Sequence, residues 1–430
     1  MLRSVMDYGE AVQRLRDCGI RRLLIVSHAL HFEHAGRWAA YGPYVREIDV
    51  WADLFETVTI VAPLRRGNPD KDSLPFSRAN ISVRGLPEVG GDTLTAKVRL
   101  IALMPVVAAG VALAMRHADA IHVRCPGNVG LIGTLLAPLF SDRLVAKFAG
   151  QWNGYVGEPA ATALQRWVLG SRWWRGPVTV YGTWPNQPPH IVPFFTSMMT
   201  SDQVEHAARV AAGKQLAQPM RVLYSGTLQA RKRVDALIDA VRLLHAEGAP
   251  LEVAIVGDGP EREAIHSRAK DLVERGVVRF VGSLPYEQAL QWFEWAHVLV
   301  LPSRTAEGWP KVIAEGMCYG LACVGVAHGQ VPAMLTGRGV LLPTGSPDEI
   351  AGALRGLLSD PAKYLALSRA GAEWAGQYSL DGLRAALADL LAHRWHVAGD
   401  RPEESVEPIA GRPALDAPVS RGRSDGTASV

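Results

Sequence analysis

At 430 residues the chain is longer than one hydrophobic core usually supports, so two domains are the default expectation. Hydrophobic residues make up 48% and charged residues 20%, the balance of an ordinary globular protein and not of a disordered or collagenous one. A net charge of +3 is too weakly basic to argue for a nucleic-acid partner; it fits acidic small-molecule substrates, or loose attachment to an anionic membrane surface.

The first residues lack the basic start and apolar core of a signal peptide. Apolar strand-like runs then alternate with helical patterns, which predicts parallel βαβ units. In the first half the predicted strands are 22–27, 58–62, 81–84, 120–124, 144–148 and 178–181. Val45, Ile48, Trp51 and Phe55 form the apolar stripe of the first long helix. The run 100–115 is too short to span a bilayer and contains Pro105, so it reads as a buried helix, with an interfacial membrane segment as the alternative because Lys97, Arg99 and Arg116 flank it. A proline-rich passage, 185–193, precedes the second half.

From 221 the alternation restarts: strand 221–225, helix 234–244, strand 252–256, helix 262–273, strand 278–281, helix 287–295, strand 298–301, a short helix 311–319 and strand 322–326. The fold class expected is therefore α/β, two doubly wound Rossmann-like domains facing a central cleft, divided as 1–197 and 198–379. The last helix, within 380–398, is expected to pack back on the first domain, and the polar tail 399–430 to be disordered. The four cysteines, Cys18, Cys125, Cys318 and Cys323, have neither metal-pair nor disulfide spacing, which fits a reducing cytoplasm.

Glu307 and Glu315 lie eight positions apart across a predicted strand-to-helix junction. Pro310 suits the first helical position and Gly320 the exit. Unpaired amides at such a helix start can receive a phosphate, and carboxylates beside it suit sugar hydroxyls, since a carboxylate set against a phosphate would repel it. Two glutamates alone are equally compatible with an ordinary βα unit and solvated side chains.

Neighbouring turns sharpen this reading. Tyr224-Ser-Gly226-Thr227-Leu228 through Arg231 and Lys232, Val256-Gly257-Asp-Gly259-Pro260, and Phe280-Val-Gly282-Ser283-Leu284-Pro285 precede the glutamate pair. Together the four segments resemble retaining glycosyltransferase family 4, also called group 1, with its two-domain GT-B fold, over about residues 220–354 and more weakly before. The resemblance implies transfer of a sugar from a nucleotide-diphosphate donor to a glycan or lipid-linked saccharide, with retention and without a metal or other cofactor. The setting it implies is cell-surface polysaccharide or glycolipid synthesis, at the inner face of the membrane.

Carried onto this sequence, it assigns Lys232 to the departing diphosphate, the Ser283-Leu284 backbone to the base and Glu315 to the ribose. Glu307, with the backbone of Gly308, Trp309, Pro310, Lys311 and Val312, goes to the donor sugar and phosphate. Gly226, Gly257 and Gly259 shape the donor loops. Thr227 stands where the family has an arginine, and Arg231 or Arg233 is the candidate replacement. On the acceptor side the candidates are His28, Gly36 and Arg37 in the first loop, Arg124, and Gln151 and Trp152, where Gln151 replaces the family's histidine. His28, His31, Glu33 and His34 do not have the spacing of a metal site. A sugar-nucleotide epimerase on the related fold, or a catalytically weak glycan-binding subunit, are the rival expectations.

Overall fold

The structure is a computed structural model that describes residues 7–70, 72–88, 93–155, 157–304 and 307–395. The tail expected beyond 399 lies outside them.

The first domain contains β1 (Arg22–Val26), β2 (His31–His34), β3 (Arg37–Tyr41), β4 (Thr57–Arg66), β5 (Ser73–Pro75), β6 (Ile81–Leu86), β7 (Ala120–Cys125), β8 (Leu144–Phe148), β9 (Val178–Tyr181) and β10 (Ile191–Phe194). Seven of these form one parallel run, in the order β6-β4-β1-β7-β8-β9-β10, and β2 also pairs parallel with the far end of β4. Strand order reverses between β1 and β7, and that switch point is where a doubly wound sheet opens a crevice for ligand. The second domain contains β11 (Met220–Ser225), β12 (Leu251–Val256), β13 (Val278–Gly282), β14 (Val298–Leu301), β15 (Ala322–Val326) and β16 (Gly339–Leu342). All are parallel, in the order β13-β12-β11-β14-β15-β16. The expected pair of doubly wound sheets is present.

Several local expectations change. The first loop is a hairpin: β2 and β3 are antiparallel, Ala35 and Gly36 turn with φ of 49° and 72°, and β5 extends the pair. The proline-rich passage ends in the edge strand β10, where Pro193 is tolerated because one side of the strand is unpaired. The helix expected at 262–273 is two pieces, Arg262–Arg268 and Lys270–Glu274. The long apolar helix, Leu94–Met115, is not buried as a whole: Val107, Val111 and Met115 face the sheet while Ile101, Val106 and Leu113 are exposed.

A helix at Ser201–Gly213, closed by a Thr200–Gln203 capping box, leads into the second domain. After it the chain returns. Helix Leu380–Arg394 packs on helices Tyr8–Asp17 and Gly42–Ala52 of the first domain, where Arg384 donates to Asp53 at 2.8 Å and Trp395 Nε1 to the Leu144 carbonyl at 3.1 Å. One continuous buried cluster runs from these helices through Phe195, Trp309 and Tyr378 into the second domain.

Candidate active site

The loops after β11, β12, β13 and β14 all leave the carboxyl ends of the second sheet, the end at which open α/β sheets bind ligands. The first two loops lie backbone to backbone. A Cβ at Gly257 would fall 1.9 Å from the Gly226 carbonyl oxygen, and one at Gly259 2.3 Å from that of Leu228. Both glycines are therefore required by loop-on-loop contact before any ligand is considered. Thr227 is exposed on the first loop, and its carbonyl is fixed by the Tyr224 hydroxyl at 2.9 Å.

Lys232 ends a 3-10 turn, Ala230–Lys232, and reaches across to the loop after β14, where its ammonium meets Glu307 at 2.5 Å. Ser303 Oγ donates to the same carboxylate oxygen at 3.0 Å. The two residues to which the family resemblance assigns separate ligand roles are thus paired with each other. A bound diphosphate, carrying more negative charge than one carboxylate, would compete for the lysine. Of the two candidate replacement arginines, Arg233 pairs with Asp235 at 3.4 Å, while the guanidinium of exposed Arg231 has, among the described residues, only the neutral Gln229 as partner, at 2.7 Å.

Helix Lys311–Cys318 points its start at this group, with Pro310 just before the first helical position instead of in it. Lys311 puts a positive charge on the positive end of the helix dipole, an arrangement that costs about 0.3–1 kcal/mol unless an anion is present. The orphan amides and Lys311 thus form a site for negative charge. The Val312 side chain, half-buried, packs against the core cluster. Glu315, one turn on, is buried and accepts from the Tyr286 hydroxyl at 3.0 Å; burial pushes its carboxyl above the usual range despite that bond. Ser283 is exposed at the end of β13 and Leu284 is half-buried beside it.

Trp309 departs from its donor-binding expectation. Its indole is buried among Tyr181, Phe195, Trp374 and Tyr378, all within 6.3 Å between ring centroids. Only its backbone is left for a ligand. The domains touch beside it: a Cβ on Gly308 would lie 2.6 Å from the Ala149 carbonyl oxygen. Further along, Arg46 of the first domain pairs with Glu287 at 2.5 Å and lies 4.6 Å over the Tyr286 ring. Both contacts hold the cleft narrow.

On the first domain, His28 is exposed at the switch point, against Gly127, where a Cβ would meet the ring at 2.6 Å. Partial burial and the Arg124 charge hold its imidazole below the usual pKa, in the neutral form near pH 7. Gly36 and Arg37 stand at the exposed hairpin tip. His31 and His34 are three residues apart on one strand and so face opposite ways; His31 is buried, with Nδ1 at 2.8 Å from the Ala29 carbonyl, and His34 is exposed. Gln151 is half-buried in the loop after β8, but Trp152 is a core residue edge-on to Phe148, not a stacking surface.

Arg124 is neither surface charge nor open phosphate ligand. It is held by Glu47 at 2.6 Å, and Lys147 holds the other carboxylate oxygen at 2.6 Å, with Thr196 at 3.3 Å. Burial alone would raise the Glu47 carboxyl, but the two cations outweigh it and keep it well below the usual carboxylate range. This cluster sits behind the cleft: the Lys147 ammonium lies 5.2 Å over the Tyr181 ring, whose other neighbour is Trp309. Sequence reasoning missed Glu47, Lys147 and Thr196. The available signal was an acid inside the apolar stripe of a helix and a lysine inside the apolar strand 144–148.

Comparison with known proteins agrees with this geometry. The chain is 32% identical over 209 residues to the D-inositol 3-phosphate glycosyltransferase of Streptomyces avermitilis, covering 44% of this chain and 45% of that protein. It is 33% identical over 175 residues to a GDP-mannose-dependent alpha-(1-6)-phosphatidylinositol monomannoside mannosyltransferase of Mycolicibacterium smegmatis, covering 38% and 45%. The chain therefore spans less than half the length of these two relatives. Among solved structures, HepE of Anabaena in complex with UDP and glucose superposes with a TM-score of 0.60 at 16% identity, over 87% of this chain and 99% of that one. WaaG, a glycosyltransferase involved in lipopolysaccharide biosynthesis, superposes with a TM-score of 0.57 at 16% identity, over 86% and 99%. The fold is that of GT-B glycosyltransferases, and residues 219–360, the third of the chain that carries Lys232, Glu307 and Glu315, match the family model of glycosyl transferases group 1.

Proposed function

We propose that the protein is a retaining glycosyltransferase of family 4 that moves a sugar from a nucleotide-diphosphate donor to a glycan or lipid-linked saccharide. The observation that carries this reading is the convergence of Lys232, Glu307 and the Lys311 helix start on one rim of the second sheet. Support also comes from the relatives, which include a GDP-mannose-dependent enzyme, and from a structural neighbour holding UDP and glucose.

In this reading Lys232 leaves Glu307 for the donor diphosphate, and Lys311, the helix amides and Arg231 complete its neutralisation. Glu307, released from the lysine, accepts from sugar hydroxyls, and Glu315 accepts from the ribose once Tyr286 yields. The bond from the anomeric carbon to the diphosphate oxygen breaks as the acceptor oxygen attacks from the same face. The acceptor proton passes to the departing phosphate oxygen. The fixed cations do the work of charge neutralisation, so the reaction needs no divalent metal. Contact between the domains at Gly308 and Arg46 excludes water from the activated donor.

A thermal-shift screen over UDP, GDP, ADP and dTDP tests the donor side. The matching nucleotide at 100 times its Kd is expected to stabilise the native state by about 2.7 kcal/mol. No shift with any of the four would overturn the reading.

A further inference from the structure

We propose that Tyr41 of the first domain is a nucleoside-binding residue: its phenol packs on the nucleoside whose ribose Glu315 holds, so that the donor is gripped from both domains at once. This role rests on the transferase reading and is additional to the donor residues named for it. Tyr41 ends β3 and directly precedes helix Gly42–Ala52. Its main chain is fixed from behind: Tyr41 pairs with Ser73 of β5, the Gly42 amide donates to the Asp72 carbonyl at 2.9 Å, and a Cβ on Gly42 would lie 3.2 Å from that carbonyl and from the Leu74 side chain. The side chain is left free. It is 51% exposed, and its hydroxyl has no hydrogen-bond partner among the described residues. An aromatic ring anchored at its backbone and open at its face suits a ligand that supplies the other half of the contact.

The cleft decides which ligand that is. Arg46, in the helix that Tyr41 opens, crosses to the second domain, pairing with Glu287 at 2.5 Å and lying 4.6 Å over the Tyr286 ring. The Tyr286 hydroxyl in turn donates to Glu315 at 3.0 Å. The start of helix Gly42–Ala52 therefore stands at the Glu315 side of the donor site. Partial burial, then the charges of Asp72 and Glu315, push the Tyr41 phenol above its ordinary pKa. A charge acts over about 10 Å in salt solution, so the phenol and the Glu315 carboxylate lie within the span of a nucleoside. Protonated at neutral pH, the phenol can donate as well as stack. The Arg46 Nε, buried and without a partner among the described residues, leaves a second donor on the same wall. A nucleoside offers what these groups need, an apolar base face and ribose hydroxyls, and base–aromatic stacking tolerates any base. A saccharide acceptor fits worse, because its candidate ligands His28 and Gln151 follow β1 and β8, whereas Tyr41 feels the charge of the ribose carboxylate.

The test is calorimetric titration of the full chain with UDP, GDP, ADP and dTDP, for the wild type, Tyr41→Ala and Tyr41→Phe, followed by the donor and acceptor KM of each. Tyr41 is exposed, so all three proteins should melt alike without nucleotide. The nucleotide that the wild type prefers is expected to bind Tyr41→Ala about 5- to 150-fold more weakly, the loss of one base–aromatic stack. Tyr41→Phe keeps the ring and should lose less than ~5-fold, the worth of one hydrogen bond. Donor KM should rise in the same order while acceptor KM stays constant. Equal nucleotide affinity in the wild type and Tyr41→Ala would overturn the proposal and leave the transferase reading standing, as would a change confined to acceptor KM. Failure of the wild type to bind any of the four nucleotides would overturn both.

Discussion

Lys232→Ala is expected to lower sugar transfer by roughly 10²–10³-fold, the usual loss when one fixed group stabilising developing charge is removed from a protected site. Lys232 and Glu307 meet at 2.5 Å with both side chains mostly shielded, so the lysine is already positioned beside the helix start at Lys311. When the diphosphate leaves, negative charge grows on oxygens that this ammonium can reach by exchanging one carboxylate for another anion. Alanine removes that charge and also leaves Glu307 unpaired near the phosphates, adding repulsion to lost attraction. Lys232→Ala/Glu307→Gln separates the two effects: it should recover part of nucleotide binding while transfer stays low. Rates on the two variants, with melting curves as the control for folding, check this. A Lys232→Ala enzyme with full activity would remove the lysine from the mechanism.

The largest stability effect is expected at Glu47. Glu47→Ala leaves Arg124 and Lys147 buried together without a counter-charge, a change that costs about 3–5 kcal/mol. For a domain of this size that corresponds to a fall in Tm of roughly 6–20 °C, read by calorimetry as the melting of the first domain. The triple replacement Glu47→Leu/Arg124→Met/Lys147→Met removes all three charges and should recover most of the lost stability, because a buried ion cluster is often no more stable than apolar side chains of similar volume. The cluster also ties Thr196, in the connection between domains, to the first sheet. A stable triple variant with altered transfer kinetics would connect it to domain closure; a single variant that melts with the wild type would show that the charges are not mutually dependent.

Five of the six strands of the second sheet were legible because they are short apolar runs punctuated by glycine turns at 226, 257 and 282, while the half-buried edge strand β16 was not among the expected elements. The hairpin of β2 and β3 was not legible. His31-Phe-Glu-His34 is polar enough to read as loop, and its pairing with Arg37-Trp-Ala-Ala-Tyr41 is set by a turn at Ala35-Gly36. The orientation of helix Leu94–Met115 was hidden for the opposite reason: nearly every position is apolar, so no stripe distinguishes the buried side.

At the site, sequence patterns located residues on the correct rim but could not show what they touch. Lys232 and Glu307 lie 75 positions apart and proved to be partners. Trp309 stands in a loop between a strand and a helix, where an aromatic reads as a ligand contact, yet its ring closes the interdomain core. Arg124 sits at a strand end where surface arginines are common, and only the fold brings Glu47 to it from another element.

The central claim is sugar transfer from a nucleotide-diphosphate donor with retention. Its most direct test is the reaction of purified protein with each donor that stabilises it and a panel of saccharide and lipid-linked acceptors, in the presence of EDTA, followed by NMR. The account predicts one nucleoside diphosphate released per glycoside formed, with the anomeric configuration of the donor kept in the product. A product of inverted configuration, or conversion of the donor to its epimer without acceptor, would contradict it.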